Sequence, residues 1–227
     1  MSTLKYTEVH GIELARHRDR IAMFVENLHG DRRAFEPESV AAWLELQDPD
    51  LAAIDVGAYT GLFSILAAKA GAAEVVALEP NPKAVHRLNH NIRRNHVKDL
   101  VDVFDVAASA FTGQGKLEIG GTEGRGISST SKLVPGEGTN VVTLDDLIEY
   151  HMGAEIGSVK IDVEGHELSV LTGAVKLLEH EHPPLIIEVE SEAGDREAEI
   201  SAFLSTFDYD GGEELDGRNR LYRKLPN

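Results

Sequence analysis

Ala53-Ile54-Asp55-Val56-Gly57-Ala58-Tyr59-Thr60-Gly61-Leu62-Phe63-Ser64 decides how this chain is read. It opens as a short apolar strand, passes through a turn holding two glycines and closes as the start of a helix. Gly57 lets backbone approach a ligand with no Cβ in the way, and Gly61 lets the helix begin close to the strand. Val75-Val76-Ala77-Leu78-Glu79-Pro80 forms a second apolar run ending in a carboxylate, Glu79, twenty-four residues after Asp55. Glu79, at the carboxyl end of that strand, is placed to accept hydrogen bonds from both hydroxyls of a ribose. A dinucleotide site shares this logic but needs G-x-G-x-x-G, which seats a pyrophosphate on the helix N-terminus. The pattern here is D-x-G-x-x-x-G. The expected ligand is therefore an adenosine without phosphate, S-adenosyl-L-methionine.

Working outward, strands and helices alternate. Helices are expected over 36–46, 62–70, 82–95, 145–150, 166–178 and 197–204. Strands are expected over 74–78, 100–104, 116–119, 141–144, 159–163, 185–189 and 221–224. Alternation of this kind predicts an α/β fold, a doubly wound sheet with ligands at the carboxyl ends of its strands. Residues 11–28 suit neither a helix nor a hairpin period cleanly. The expected organisation is an N-terminal extension over 1–35 and one cofactor-binding domain over 36–227. The segment 113–138 breaks the rhythm, with eight glycines in 26 residues. It is too polar for core and too long for an ordinary connection, so it reads as an active-site flap or a disordered loop.

Composition excludes several classes. Lys and Arg number 22 against 39 Asp and Glu, a net charge of −17, which repels phosphate backbones and argues against nucleic-acid partners. No apolar run reaches the roughly 18 residues of a membrane span, and no membrane partner is expected. Zero cysteines exclude disulfides and thiolate zinc sites, and the first residues lack the apolar core of a secretory signal. The expected setting is the cytoplasm, with self-association left open.

Lys160, Asp162 and Glu164 stand at alternate positions of a strand and would share one face. Three charges there cannot all be buried unpaired. Asp162 and Glu164 are read as opening toward the ligand cleft, with Lys160 deeper and paired to Glu188. His166 follows Gly165 at a helix start and is a candidate general base, since an ordinary imidazole titrates near pH 6.5. Asp55 is read as ordering the turn or attracting the sulfonium. Asp105, just past the third strand, would lie beside the adenine, with the backbone of Val106 and Ala107 at its edge. No metal is expected. Asp162, Glu164 and Glu188 are nonetheless hard oxygen ligands, and His86 and His90 have ligand spacing without an evident third partner.

Further stretches complete a pattern: Leu78-Glu79-Pro80-Asn81, Leu88-Asn89-His90-Asn91-Ile92-Arg93-Arg94-Asn95, Ala107-Ala108-Ser109 and Val142-Thr143-Leu144-Asp145-Asp146-Leu147. The most diagnostic is Lys160-Ile161-Asp162-Val163-Glu164-Gly165-His166-Glu167. In this order, over about residues 36–190, they resemble the FkbM-type S-adenosylmethionine-dependent methyltransferases. The resemblance implies a Rossmann-like, seven-stranded, mostly parallel sheet with a last antiparallel strand and helices on both faces. It also implies methylation of a hydroxyl on a sugar or other small polar acceptor. The cofactor residues would be Asp55, Gly57, Tyr59, Gly61, Glu79, Asp105 and Ala107, and the catalytic ones Asp162, Glu164 and His166. Tyr59 departs from the asparagine usual at its position. The alternatives are an N-methyltransferase or a non-catalytic cofactor-binding subunit; a nicotinamide dehydrogenase is disfavoured by the missing glycine.

Overall fold

A computed structural model describes residues 5–16, 19–27, 35–120, 131–189 and 194–226. The stretch of ambiguous period holds both a hairpin and a helix. Strands β1 (Tyr6–Val9) and β2 (Ile12–Ala15) pair antiparallel across His10 and Gly11, both at positive φ, as a tight turn between right-twisted strands requires. Helix α1 (Arg20–Asn27) follows; Asp19 caps it by accepting the Ala22 amide at 2.9 Å. Helix α2 (Pro37–Glu45) starts with proline at its first position, where a missing N–H costs nothing.

The alternating region then supplies β3 (Ala52–Val56), α3 (Leu62–Ala70), β4 (Glu74–Leu78), α4 (Pro82–Arg94) and β5 (Val101–Phe104). After a side sheet come α5 (Leu144–His151), β9 (Ile156–Ile161), α6 (Glu167–Thr172), α7 (Val175–His180) and β10 (Leu185–Glu188). The chain closes with α8 (Gly194–Ser205), β11 (Glu213–Glu214) and β12 (Asn219–Tyr222). The helix expected over 166–178 is two helices. A Cβ at Gly173 would lie 2.1 Å from the Ser109 carbonyl oxygen, so the chain turns there with the backbone of its neighbour in contact.

The main sheet has seven strands in the order β11-β12-β10-β9-β3-β4-β5. All pairs are parallel except those of β12, which runs against both neighbours. Successive residues face opposite cores. Ala53, Val75, Ala77 and Ile186 join Trp43, Leu62, Leu88 and the hairpin residues Val9, Ile12 and Leu14 on one side. Ile54, Val56, Val76, Val159 and Ile161 join Leu147, Leu171, Leu177 and Ile200 on the other. The asparagines of α4 close the first side: Asn91 and Asn95 accept the amides of Ala15 and Glu13 on β2, each at 3.0 Å. Asn91 also donates to the Thr60 carbonyl at 2.8 Å and so holds the glycine turn to the hairpin.

The described ends of the glycine-rich segment, read as a flap or disordered loop with a strand over 116–119, form a strand pair. Strands β6 (Ala107–Ala108), β7 (Gly113–Ile119) and β8 (Ser131–Val142) form a separate sheet in the order β6-β8-β7. Residues 121–130, the middle of the segment, lie outside the described residues. The glycines serve close packing: Cβ atoms at Gly115 and Gly136 would lie 2.7 Å from Leu133 Cδ1 and Lys116 Cβ. The register shifts between Gly115 and Lys116, so these glycines mark a bulge.

Candidate active site

The order of the main sheet reverses at β3, which has β4 on one side and β9 on the other. Ligand clefts open at the carboxyl ends of strands at such a point. Past the end of β3, the amides of Gly57 and Ala58 donate to the Leu78 carbonyl at 2.9 and 3.0 Å. A Cβ at Gly57 would lie 1.8 Å from the Asp162 carbonyl oxygen, so only glycine lets the turn sit against the end of β9. Gly61 begins α3 and packs against Leu88 of α4, so it serves helix packing behind the cleft.

Glu79 is buried at the end of β4 and accepts the amides of Tyr59 and Asn81, one on each oxygen, both at 2.8 Å. Burial pushes its carboxyl up to about 7; the two amides oppose this, and Asp55 and Asp162 add to it. Each oxygen keeps lone-pair capacity for a further donor. The Tyr59 hydroxyl accepts the Arg20 amide at 3.2 Å and ties the turn to α1, a link the usual asparagine is too short to offer. Asp55 is buried and its Oδ2 accepts the Ser64 hydroxyl at 2.5 Å, so one of its oxygens is committed to α3. Burial raises its pKa.

Lys160 sits opposite Asp55 on adjacent strands and is fully buried, its Nζ 4.5 Å from the centre of the Phe63 ring. Its ion-pair partner is Asp162, at 3.0 Å, where Glu188 was expected. The reason lies in the strand: residues two apart share a face, and Asp162, whose amide still donates to the Val56 carbonyl at 2.9 Å just past the end of β9, reaches Lys160 along its own strand. Glu188 pairs with Arg218 at 2.7 Å. Burial alone would lower the Lys160 pKa, but Asp162, Glu36, Asp55 and Glu188 together hold it above its ordinary value.

Asp162 and Glu188 share a hydrogen bond. Burial pushes both carboxyls up. For Asp162 the Lys160 ammonium and the bond from Glu188 outweigh it, and the group stays ionised. For Glu188 the neighbouring Asp162 charge adds to burial, and its pKa reaches about 9. A protonated Glu188 accounts for both contacts: its O–H donates to Asp162 while Oε1 accepts from Arg218.

Glu164 has φ of 53, in the left-handed region beside Gly165. His166 starts the next helix, and its Nε2 is 2.9 Å from the buried Ser109 hydroxyl. Burial lowers the imidazole pKa, so the ring is neutral near pH 7. One tautomer therefore leaves Nδ1 able to take a proton.

A single cavity of about 530 Å³ joins these groups. It is lined by Asp55, Gly57, Tyr59, Glu79 and Ala107 together with Asp162, Glu164 and His166. Asp105 is exposed and lies outside the lining, its backbone turning it away while Val106 faces in. Sequence reading missed Glu36, Phe24 and Phe35 on the N-terminal side and Leu117, Ser131 and Leu133 from β7 and β8. The period-2 pattern of β7 carried a faint signal for Leu117. Nothing local marked Glu36, which reads as an ordinary acid at a helix start. Among the described residues, no group of three or more His, Asp or Glu is arranged to hold a metal ion.

Residues 55–221 match the family model described as the methyltransferase FkbM domain. The chain belongs to the FkbM methyltransferase family. Hexuronic acid methyltransferase AglP from Haloferax volcanii is 29% identical over 181 residues, 75% of this chain and 68% of that protein. Ribosomal protein L11 methyltransferase from Chloroflexus aurantiacus is 39% identical over 70 residues, but these span only 31% of this chain and 21% of that protein. The crystal structure of methyltransferase FkbM from Methylobacillus flagellatus superposes with a TM-score of 0.56 at 19% identity. It covers 92% of this chain, which spans 56% of the longer protein. Among the described residues, no helix of this FkbM-family chain is long and apolar enough to cross a membrane.

Proposed function

We propose that the chain is an S-adenosyl-L-methionine-dependent O-methyltransferase acting on a hydroxyl of a sugar or other small polar molecule. One observation carries the reading: the cavity is continuous from the glycine turn and Glu79 to Asp162 and His166. The residues suit the cofactor. The Gly57 turn leaves backbone room, and Glu79 keeps acceptor capacity for ribose hydroxyls at the end of β4. Val106 and Ala107 offer backbone at the adenine edge, and Asp55 lends negative charge beneath the turn. When bound, S-adenosylmethionine supplies a methyl group made electrophilic by its sulfonium.

The rest of the site orients the acceptor and takes its proton. Ionised Asp162 and neutral His166 are both proton acceptors at neutral pH. Lys160 fixes Asp162 from below, so the carboxylate holds a defined position without being neutralised by a proton. Positioning of this kind carries much of the catalysis of an in-line displacement. The hexuronic acid relative supports a carbohydrate acceptor, and the absence of cysteine from the sequence fits a cytoplasmic enzyme.

The test of the cofactor reading is calorimetry with S-adenosylhomocysteine, the demethylated product. Wild type should bind it, and Glu79→Ala should weaken binding by about 1.5–3 kcal/mol per lost bond while unfolding stays cooperative. Equal affinity in the variant would remove Glu79 from the site.

A further inference from the structure

Part of the cavity wall comes from residues that precede the 55–221 family match. Glu36 occupies the N-cap position of α2, yet its side chain caps nothing. The cap is delegated to Asp216, from the loop before β12, whose two oxygens accept the amides of Glu38 at 3.1 Å and Ser39 at 2.6 Å. The Glu36 backbone is left-handed, with φ 44 and ψ 57, unusual for a residue with a side chain. Its carboxylate lines the cavity beside Lys160 and Asp162, and Asn219 donates to it. Its Oε2 is buried with no hydrogen-bond partner among the described residues. A buried carboxylate oxygen left without a donor is costly, and in a ligand cavity it marks where a donor arrives.

Next to it stand two aromatic rings. Phe24 and Phe35 meet edge to face with centroids 5.5 Å apart, and both line the cavity. Phe24 is 45% exposed, so its ring is open to a ligand in the cavity. Aromatic surface beside one precisely placed acceptor suits a molecule with an apolar face and a hydroxylated edge.

Charge narrows the class further. Lys160 is already paired with Asp162, and Arg218 with Glu188. Arg20, also in the lining, is engaged as well. Among the described residues, no cation lining the cavity stands ready for an anion, and a carboxylate or phosphate here would meet Glu36 and Asp162 in a poorly screened space. Resting on the methyltransferase reading above, we propose that the acceptor is an uncharged, ring-shaped polyol that covers Phe24 and Phe35 and donates a hydroxyl to Glu36. Glu36 is then a specificity-determining residue supplied from outside the family domain. The acceptor differs in charge from the hexuronic acid named for the Haloferax relative.

The experiment uses the full chain with methyl-labelled S-adenosylmethionine and a panel of methyl hexopyranosides, each beside its uronate and its amino sugar. Binding of the same compounds is measured by calorimetry in the presence of S-adenosylhomocysteine. Neutral members should bind and react, with uronates at least about 10-fold poorer. Glu36→Gln should lose roughly 10- to 100-fold in kcat/KM on neutral sugars, the worth of one hydrogen bond to a charged acceptor. It should also narrow the discrimination against uronates, because a like charge is gone. Its thermal midpoint should equal or exceed that of wild type, a result a structural role for Glu36 would not give. Phe24→Ala, at an exposed position that folding tolerates, should raise KM and leave the product's affinity unchanged. Preference for uronates or amino sugars, or full kcat/KM in Glu36→Gln, would overturn the proposal. If S-adenosylhomocysteine binds but no pyranoside binds or reacts, this proposal falls alone. If S-adenosylhomocysteine does not bind, the methyltransferase reading falls with it.

Discussion

Lys160 sets the electrostatics of the site from inside the core. Among the described residues it is the buried cation held between Asp55, Asp162 and Glu36, all carboxylates drawn together by the ends of β3 and β9 and the start of α2. Removing one member of a buried ion pair leaves its partner uncompensated and costs about 3–5 kcal/mol. Lys160→Met keeps the length and the contact with Phe63, so denaturant melts should show a loss of this size, and Asp162 should gain a proton. A loss below about 1 kcal/mol would mean that the carboxylates do not depend on the ammonium. The spacing of Lys160, Asp162 and Glu164 was legible in the sequence because alternate residues share a face of a strand. The partner of Lys160 was not, because Asp162 on its own strand and Glu188 on the adjacent one both lie close enough to act on it.

At the scale of elements, α2 couples the last hairpin of the chain to the cavity. Asp216 lies 177 residues from Ser39 in sequence, so no local pattern announces that it caps this helix. Asp216→Ala should cost about 1 kcal/mol, the usual worth of a cap, seen as a lower midpoint in thermal unfolding. It should weaken acceptor binding through Glu36 and leave affinity for S-adenosylhomocysteine within a few-fold. Unchanged stability would show that Glu36 or solvent serves the helix start instead. The alternating core was readable because strands buried on both faces appear as continuous apolar runs, as in Val75-Val76-Ala77-Leu78. The β7–β8 pair was hidden by its glycines. Glycine signals both freedom and close packing, and only the position of Leu133 over Gly115 separates the two.

Across the whole molecule, buried carboxyls link stability to pH. The Glu188 carboxyl, raised to about 9, binds its proton more tightly in the folded chain than in the unfolded one. Its contribution is therefore complete below the ordinary carboxylate range and is lost as pH rises toward 9. Glu79, raised to about 7, acts in the same direction over the lower part of that window. Asp162, held down by Lys160, acts oppositely and only in acid. Unfolding free energy should fall from pH 5 to pH 9, and Glu188→Gln, which stays neutral and still donates to Asp162, should flatten the slope. A flat wild-type profile would show that Glu188 is ionised throughout. The same carboxyls line the cavity proposed above to hold cofactor and acceptor, and perturbed carboxyls gathered in a cleft point to chemistry as the reason for keeping them. Carbon-13 NMR of the full chain with methyl-labelled S-adenosylmethionine and neutral pyranosides tests that most directly. The predicted result is a labelled O-methyl group on the sugar, its rate cut by about 10²–10⁴-fold in Asp162→Asn with product affinity within a few-fold. Label on nitrogen, or none transferred while the product still binds, would contradict it.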